Sequence, residues 1–159
     1  MPGKLQAEIR QTKPFALIEE EAALNIIRTS EVLQRFITEF LRPFDLSPVQ
    51  YNVLRILRGA GAAGVTCSQV GERLLTRDPD ITRLLDRMQA RELIERERSS
   101  EDRRVVITRI SKTGLKLVDS LDQPLRSVNR RKLGRLGRDE LADLIAGLER
   151  VREAYEEEA

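Results

Sequence analysis

The chain has 159 residues, 40% of them hydrophobic and 34% charged, which suits one helix-rich domain with extensions and a buried core. Its 28 basic and 26 acidic residues leave a formal charge of +2, too small to argue by itself for a nucleic-acid partner. It has no histidine, the commonest general base and metal ligand, and one cysteine, Cys67, with no second thiol to share a metal or a disulfide.

No GxGxxG, P-loop or GxSxG motif is present. The expectation is a protein that is not an enzyme and holds no cofactor and no metal. No apolar run reaches the roughly 20 residues of a membrane span, and "MPGKLQAEIRQTKP" lacks the apolar core of a signal peptide. The expected setting is the reducing cytoplasm, with no membrane partner.

The first periodic stretch runs from Phe15 to Arg42, with Ala23, Ile26, Ile27, Leu33, Phe36, Ile37, Phe40 and Leu41 at helical spacing. Glu19, Glu20 and Glu21 suit its positive N-terminal end, and Pro43 marks its stop. "LSPVQYNVLRIL" opens a second helix: Ser47 caps, Pro48 takes the first position and Gln50 completes a capping box. Gly59–Gly64 breaks it, and Val65 is a short extended stop. In "TCSQVGERLL", Thr66 caps, Gln69 returns the bond, and Val70 and Leu74 face inward. A fourth helix follows, with Asp78 as N-cap, Pro79 as first residue and one apolar stripe of Ile81, Leu84, Leu85 and Met88.

Two short helices joined by a tight turn form a helix-turn-helix signal. Directly after them, Ile94–Arg98 reads as an exposed edge strand, "SSED" as a turn, and Val105–Ile110 as its partner. Ser111 caps a long helix that Pro124 should kink or split. Gly134 and Gly137 bracket a break. From about Arg138 a last helix carries Leu141, Leu144, Ile145, Leu148, Val151 and Tyr155 on one stripe. The fold class is therefore mostly α with a small β-hairpin wing.

In a winged helix-turn-helix the second helix enters the DNA major groove. At 100° steps Arg83 lies nearly opposite the apolar stripe, with Thr82 and Arg87 on either side and Arg77 just ahead of the helix. Arginine can make paired hydrogen bonds to guanine. Asp86 also faces outward and is expected to orient Arg83 and Arg87. At the hairpin tip Arg103 and Arg104 suit a narrow, negative minor groove, with Asp102 as a brace for Arg104.

"LSPVQYNVLRIL", "TCSQVGERLL", "DITRLLDRMQARELIERERSSEDRRVVITRISKTG" and "LGRDELADLIAGLERV" together resemble the MarR (multiple antibiotic resistance regulator) family of bacterial transcription factors. The most specific mark is the D-x-R wing, Asp102-Arg103-Arg104, followed by a strand and "SKTG". The resemblance covers roughly Phe15 to Glu153. It implies a homodimer with interlocked first and last helices, a pseudo-palindromic double-stranded DNA operator, and often release by a small aromatic or phenolic ligand or by an oxidant. On that reading 1–14 is an N-terminal arm, 15–45 and 112–159 form a helical dimerisation domain, and 46–111 form the winged helix-turn-helix. Gly71 stands where alanine is usual and Gly137 where a serine or threonine cap is usual. The absent histidines and N-terminal cysteine argue against metal or peroxide sensing.

Alternatives stay open for several features. Phe36, Phe40, Phe44 and Tyr51 either pack the core where the first two helices meet or line a ligand pocket. Cys67 is either a plain first-turn residue or, at a helix N-terminus, a reactive thiol. Arg126, Arg130, Arg131, Lys132, Arg135 and Arg138 form either a solvated face or a phosphate contact. The expected function is a dimeric DNA-binding transcription regulator, a repressor released by a small ligand, with a winged-helix protein-interaction module without DNA binding as the alternative.

Overall fold

The structure, a computed structural model, describes residues 4–157. Residues 1–3 of the expected arm and 158–159 of the expected dimerisation domain lie outside the described residues. The element order is α1 (Lys4–Glu8), α2 (Ile18–Leu41), α3 (Pro48–Ala60), β1 (Val65–Thr66), α4 (Cys67–Arg73), α5 (Ile81–Ala90), β2 (Ile94–Arg98), β3 (Val106–Ile110), α6 (Lys112–Leu133) and α7 (Arg138–Glu156). Among the described residues no helix is long and apolar enough to cross a membrane.

Local signals set most helix starts. Ser47 and Gln50 form a reciprocal capping box at α3, with bonds of 3.2 and 3.0 Å, and Thr66 and Gln69 repeat it at α4 with 3.2 and 2.9 Å. Ser111 Oγ accepts the Gly114 N–H at 2.9 Å and starts α6. Gly114 lies where a Cβ would run into the Leu93 carbonyl, so α6 can approach the start of β2 only without a side chain there. At α7 Gly137 stands at the N-cap and donates its N–H to Glu140 Oε2 at 3.0 Å, so half of the box survives without a capping hydroxyl.

Two expectations are corrected, and two elements are added. The α5 N-cap is Asp80, whose Oδ1 accepts the Arg83 N–H at 3.2 Å; Asp78 instead accepts the Asp80 N–H at 2.8 Å, and Pro79 lies in the turn. Pro124 does not split α6, which runs continuously from Lys112 to Leu133 with Val118 and Leu121 before the proline and Leu125 after it packed on one core. The arm contains a one-turn helix, α1, too short to show periodicity, with Leu5 buried and Glu8 reaching Arg28 of α2 at 3.8 Å. The wing is part of a three-stranded antiparallel sheet of order β1-β3-β2, since Val65 and Thr66 pair with Thr108 and Ile107. That leaves β2 as an edge strand, as expected.

One core joins these elements. Leu41 and Leu46, Val53, Leu54 and Leu57, Val70, Leu84, Leu85 and Met88, Ile94, Val118 and Leu121 are all buried in it. α6 is tied to α3 by more than packing. Arg58 Nη1 lies 2.7 Å from Asp119 Oδ1 and 3.1 Å from Asp122 Oδ2, and Arg58 Nη2 lies 3.2 Å from Asp122 Oδ1. Hydrogen bonds from Arg58 hold the Asp122 carboxyl below its usual value, against the opposing effect of burial.

A carboxyl depressed in the folded state stabilises the fold above its unfolded pKa of about 4, and that contribution is lost as pH falls through the lower folded value. Asp122→Asn should therefore cost about 1–2 kcal/mol near neutral pH. Its deficit relative to the parent chain should shrink in acid, as measured by denaturant unfolding across pH.

Candidate nucleic-acid interface

Burial of Leu84, Leu85 and Met88 fixes the rotation of α5, so Thr82, Arg83, Asp86 and Arg87 face solvent. Arg77 is exposed in the turn ahead of the helix, and Arg103 and Arg104 are exposed at the wing tip. Among the described residues, Arg77, Arg87, Arg103 and Arg104 have no carboxylate within ion-pair distance. Arginines deeper in the fold do: Arg91 pairs with Asp45 at 3.2 Å, and Arg109 with Glu97.

Asp80, Asp86 and Asp102 near this surface are engaged, and one of them differs from expectation. Asp86 pairs with Arg96 of β2, not with Arg83 or Arg87. The pair ties the first wing strand to the outward face of α5. Arg96 shares a strand face with buried Ile94, and this period-two relation was the signal in the sequence that could have found it. Orientation of Arg83 falls to Asp80, whose Oδ2 lies 3.2 Å from Arg83 Nε while the guanidinium stays exposed.

The wing tip is a closed turn. Ser99 N–H donates to the Val105 carbonyl at 2.8 Å and Val105 N–H to the Asp102 carbonyl at 2.9 Å. Asp102 Oδ1 accepts the Arg104 N–H at 2.9 Å, so the brace acts on the backbone of Arg104 and leaves its side chain free. Arg98 Nη1 adds a bond of 2.9 Å to the Arg103 carbonyl. Cys67 Sγ lies 3.9 Å from Thr82 Oγ1, which places it under the start of α5.

The aromatic residues divide. Phe36 and Tyr51 line a cavity of about 320 Å³ between α2, α3, α6 and the turn after α4, together with Asn52, Arg55, Leu75 and Thr76. Phe40 and Phe44 do not line it. Phe40 packs on the core between its neighbours, with ring centroids 6.1 Å from Phe36 and 6.3 Å from Phe44, and Phe44 is exposed. Burial raises the Tyr51 phenol above its usual pKa, so it is a neutral donor at the cavity wall. Arg55 lies 6.0 Å from the Tyr51 ring centroid. On the basic face of α6, Arg126 reaches Asp122 at 3.5 Å and Lys132 sits 5.0 Å from the Phe36 ring centroid.

Residues 44–105 match a family model described as MarR family. The sequence is 30% identical over 76 residues to the HTH-type transcriptional regulator MhqR of Bacillus subtilis (strain 168), a match covering 48% of this chain and 51% of the other. The chain thus spans about half the length of this curated relative in the match. Among solved structures, a MarR transcription factor from Planctomyces limnophilus is 41% identical, with a TM-score of 0.65, over 85% of this chain and 98% of that one. A mutant MarR from E. coli, complexed with operator DNA, is 26% identical, with a TM-score of 0.72, over 86% and 99%.

Removing the wing brace should loosen the tip without unfolding the domain. Asp102→Ala is expected to speed amide hydrogen exchange at Arg104 severalfold, the loss of one bond of about 1 kcal/mol. Asp102→Asn keeps the acceptor and should leave the rate near that of the parent chain.

Proposed function

Because this chain belongs to the MarR family, we propose that it is a cytoplasmic, homodimeric DNA-binding transcription regulator, a repressor released by a small ligand. The observation that carries the reading is the placement of cations on the winged unit. Arg83 and Arg87 are exposed on the outer face of α5, Arg77 on the turn ahead of it, and Arg103 and Arg104 at the wing tip, and Asp86 on the same face is paired with Arg96. In the reading, α5 lies in the major groove with Thr82, Arg83 and Arg87 toward the bases, and the wing lays Arg103 and Arg104 over the minor groove. A winged module without DNA binding has no need for exposed arginines on the turn, the outer face of α5 and the wing tip together.

Support for the dimer comes from apolar faces that one chain leaves uncovered. On α2, Ile18 is 78% and Ile27 64% exposed, and on α7 Ile145 is 56% exposed; α7 buries no residue at all. Long exposed stripes of this kind are covered by association. A two-fold dimer would set the recognition helices about 34 Å apart, on a pseudo-palindromic operator. The expected unit is 15–45 with 112–159 as dimerisation domain and 46–111 as DNA-binding domain. For the ligand, the support is the cavity: an apolar wall with Phe36 and Tyr51, and Arg55 as a cation without a carboxylate partner among the described residues. A small aromatic or phenolic molecule fits that lining.

Light scattering at micromolar concentration should return twice the chain mass. Fluorescence anisotropy with duplex DNA from upstream of the chain's own gene should show salt-dependent binding. Arg83→Ala should cost about 1–3 kcal/mol and relax base preference, whereas Arg104→Ala should weaken binding with less change in preference.

Calorimetry with phenols and aromatic acids is the test of the cavity. A bound ligand that releases DNA should lower operator affinity roughly 5- to 150-fold, and operator should weaken the ligand by the same factor.

A further inference from the structure

The turn between α4 and α5 carries Arg77 and leads the chain into Thr82 and Arg83. Its ends are anchored by packing, since Leu74 and Ile81 rest against the core. Its middle is not. Leu75 is 85% exposed, and Thr76, Arg77 and Pro79 are exposed as well. Two of its hydrogen bonds stay inside the helix-turn-helix: Leu74 N–H to the Gly71 carbonyl at 3.4 Å, and Asp80 N–H to Asp78 Oδ1 at 2.8 Å. Among the described residues, one hydrogen bond ties residues 75–79 to another element. It runs 2.8 Å from the Leu75 N–H to Asn52 Oδ1 on α3.

Asn52 is itself held firmly. Tyr51, Val53 and Leu54 beside it are buried, so α3 cannot move without disturbing the core. The donor is a backbone N–H, so the side-chain oxygen of Asn52 must be the atom that faces it. Asn52 and Leu75 also both line the cavity of about 320 Å³.

We propose that Asn52 is a positioning residue for DNA reading: it latches the α4–α5 turn to α3 and so fixes Arg77 and the first turn of α5 before DNA arrives. The inference rests on the DNA-binding reading given above. A turn without the latch is ordered only on binding, and the lost bond then appears as weaker operator affinity, roughly 3- to 10-fold. Binding to unrelated DNA follows the count of cations near phosphate and stays unchanged, because no charge is altered. The latch is also the point at which anything lodged in the cavity reaches the recognition helix directly.

The test uses the full chain with Asn52→Leu, which removes the acceptor at similar volume, and Asn52→Asp, which keeps one. Two readouts are taken: amide hydrogen exchange at Leu75 and Arg77 without DNA, and the ratio of affinities for upstream duplex and unrelated duplex at one salt concentration. In Asn52→Leu, exchange at Leu75 should rise severalfold and the affinity ratio should fall roughly 3- to 10-fold, with melting temperature and oligomeric state unchanged. Asn52→Asp should keep a ratio near that of the parent chain. If Asn52→Leu does not fold, Asn52→Ala removes the acceptor without bulk and is judged by the same readouts. Unchanged exchange at Leu75, or faster exchange with an unchanged ratio, overturns the latch. A parent chain with no preference for the upstream duplex overturns the DNA-binding reading at that duplex, while the exchange measurement still decides whether the bond holds the turn.

Discussion

The burial of Leu84, Leu85 and Met88 decides what every other side chain of α5 can do. A helix with one face sealed in a core has no rotational freedom, so the opposite face is presented at a fixed angle. That face holds Thr82, Arg83, Asp86 and Arg87. The rest of the winged unit serves this placement. α3 supplies Val53, Leu54 and Leu57 to the core that seals the inner face of α5, and the first half of α6 closes the same core with Val118 and Leu121. The left-handed conformation of Glu92 ends α5 in a Schellman turn, with Leu93 N–H on the Met88 carbonyl at 3.0 Å, and sends the chain straight into β2.

Electrostatics is arranged on top of that packing. A chain with nearly balanced charge cannot rely on its total field to meet a polyanion, so placement of the charges has to do what their sum does not. Carboxylates around α5 are drawn into ion pairs: Asp86 to Arg96, Glu97 to Arg109, Asp45 to Arg91. Asp80 serves twice, as helix cap and as a holder of Arg83. Exposed pairs of this sort add little stability. Their effect is to hold backbone and side chains in register while other arginines stay unpaired.

Local chemistry was legible in the sequence and distant partnership was not. The capping boxes at Ser47 and Thr66, the Ser111 cap and the apolar stripe of α5 all lie within four residues, so spacing alone revealed them. The α5 cap slipped by two residues because two aspartates flank Pro79, and the preference of proline for the first helical position favoured the wrong one. The expected split at Pro124 failed for a different reason: burial on both sides of the proline outweighs one missing backbone bond. Arg58–Asp122 and Asn52–Leu75 join residues far apart in the chain, and no periodicity points to them; for Asp86–Arg96 the strand period places Arg96 on the face of Ile94 but does not name its partner. Of the four aromatic residues grouped by sequence, only Phe36 and Tyr51 line the cavity; Phe40 packs on the core and Phe44 is exposed, a division that composition cannot supply.

The unbroken course of α6 has a mechanical meaning. Its first half is bonded into the winged core through Arg58, while the part beyond Asp122 runs past Pro124 to the exposed Leu133. The stretch from Asp122 to Leu133 is a lever of about 17 Å. Tilting it by about a fifth of a radian moves its far end by about 3 Å, close to the rise of one base pair. In the proposed dimer, a change in how the two helical stems meet would thus become a full step of mismatch along a double helix, with no rearrangement inside either winged unit.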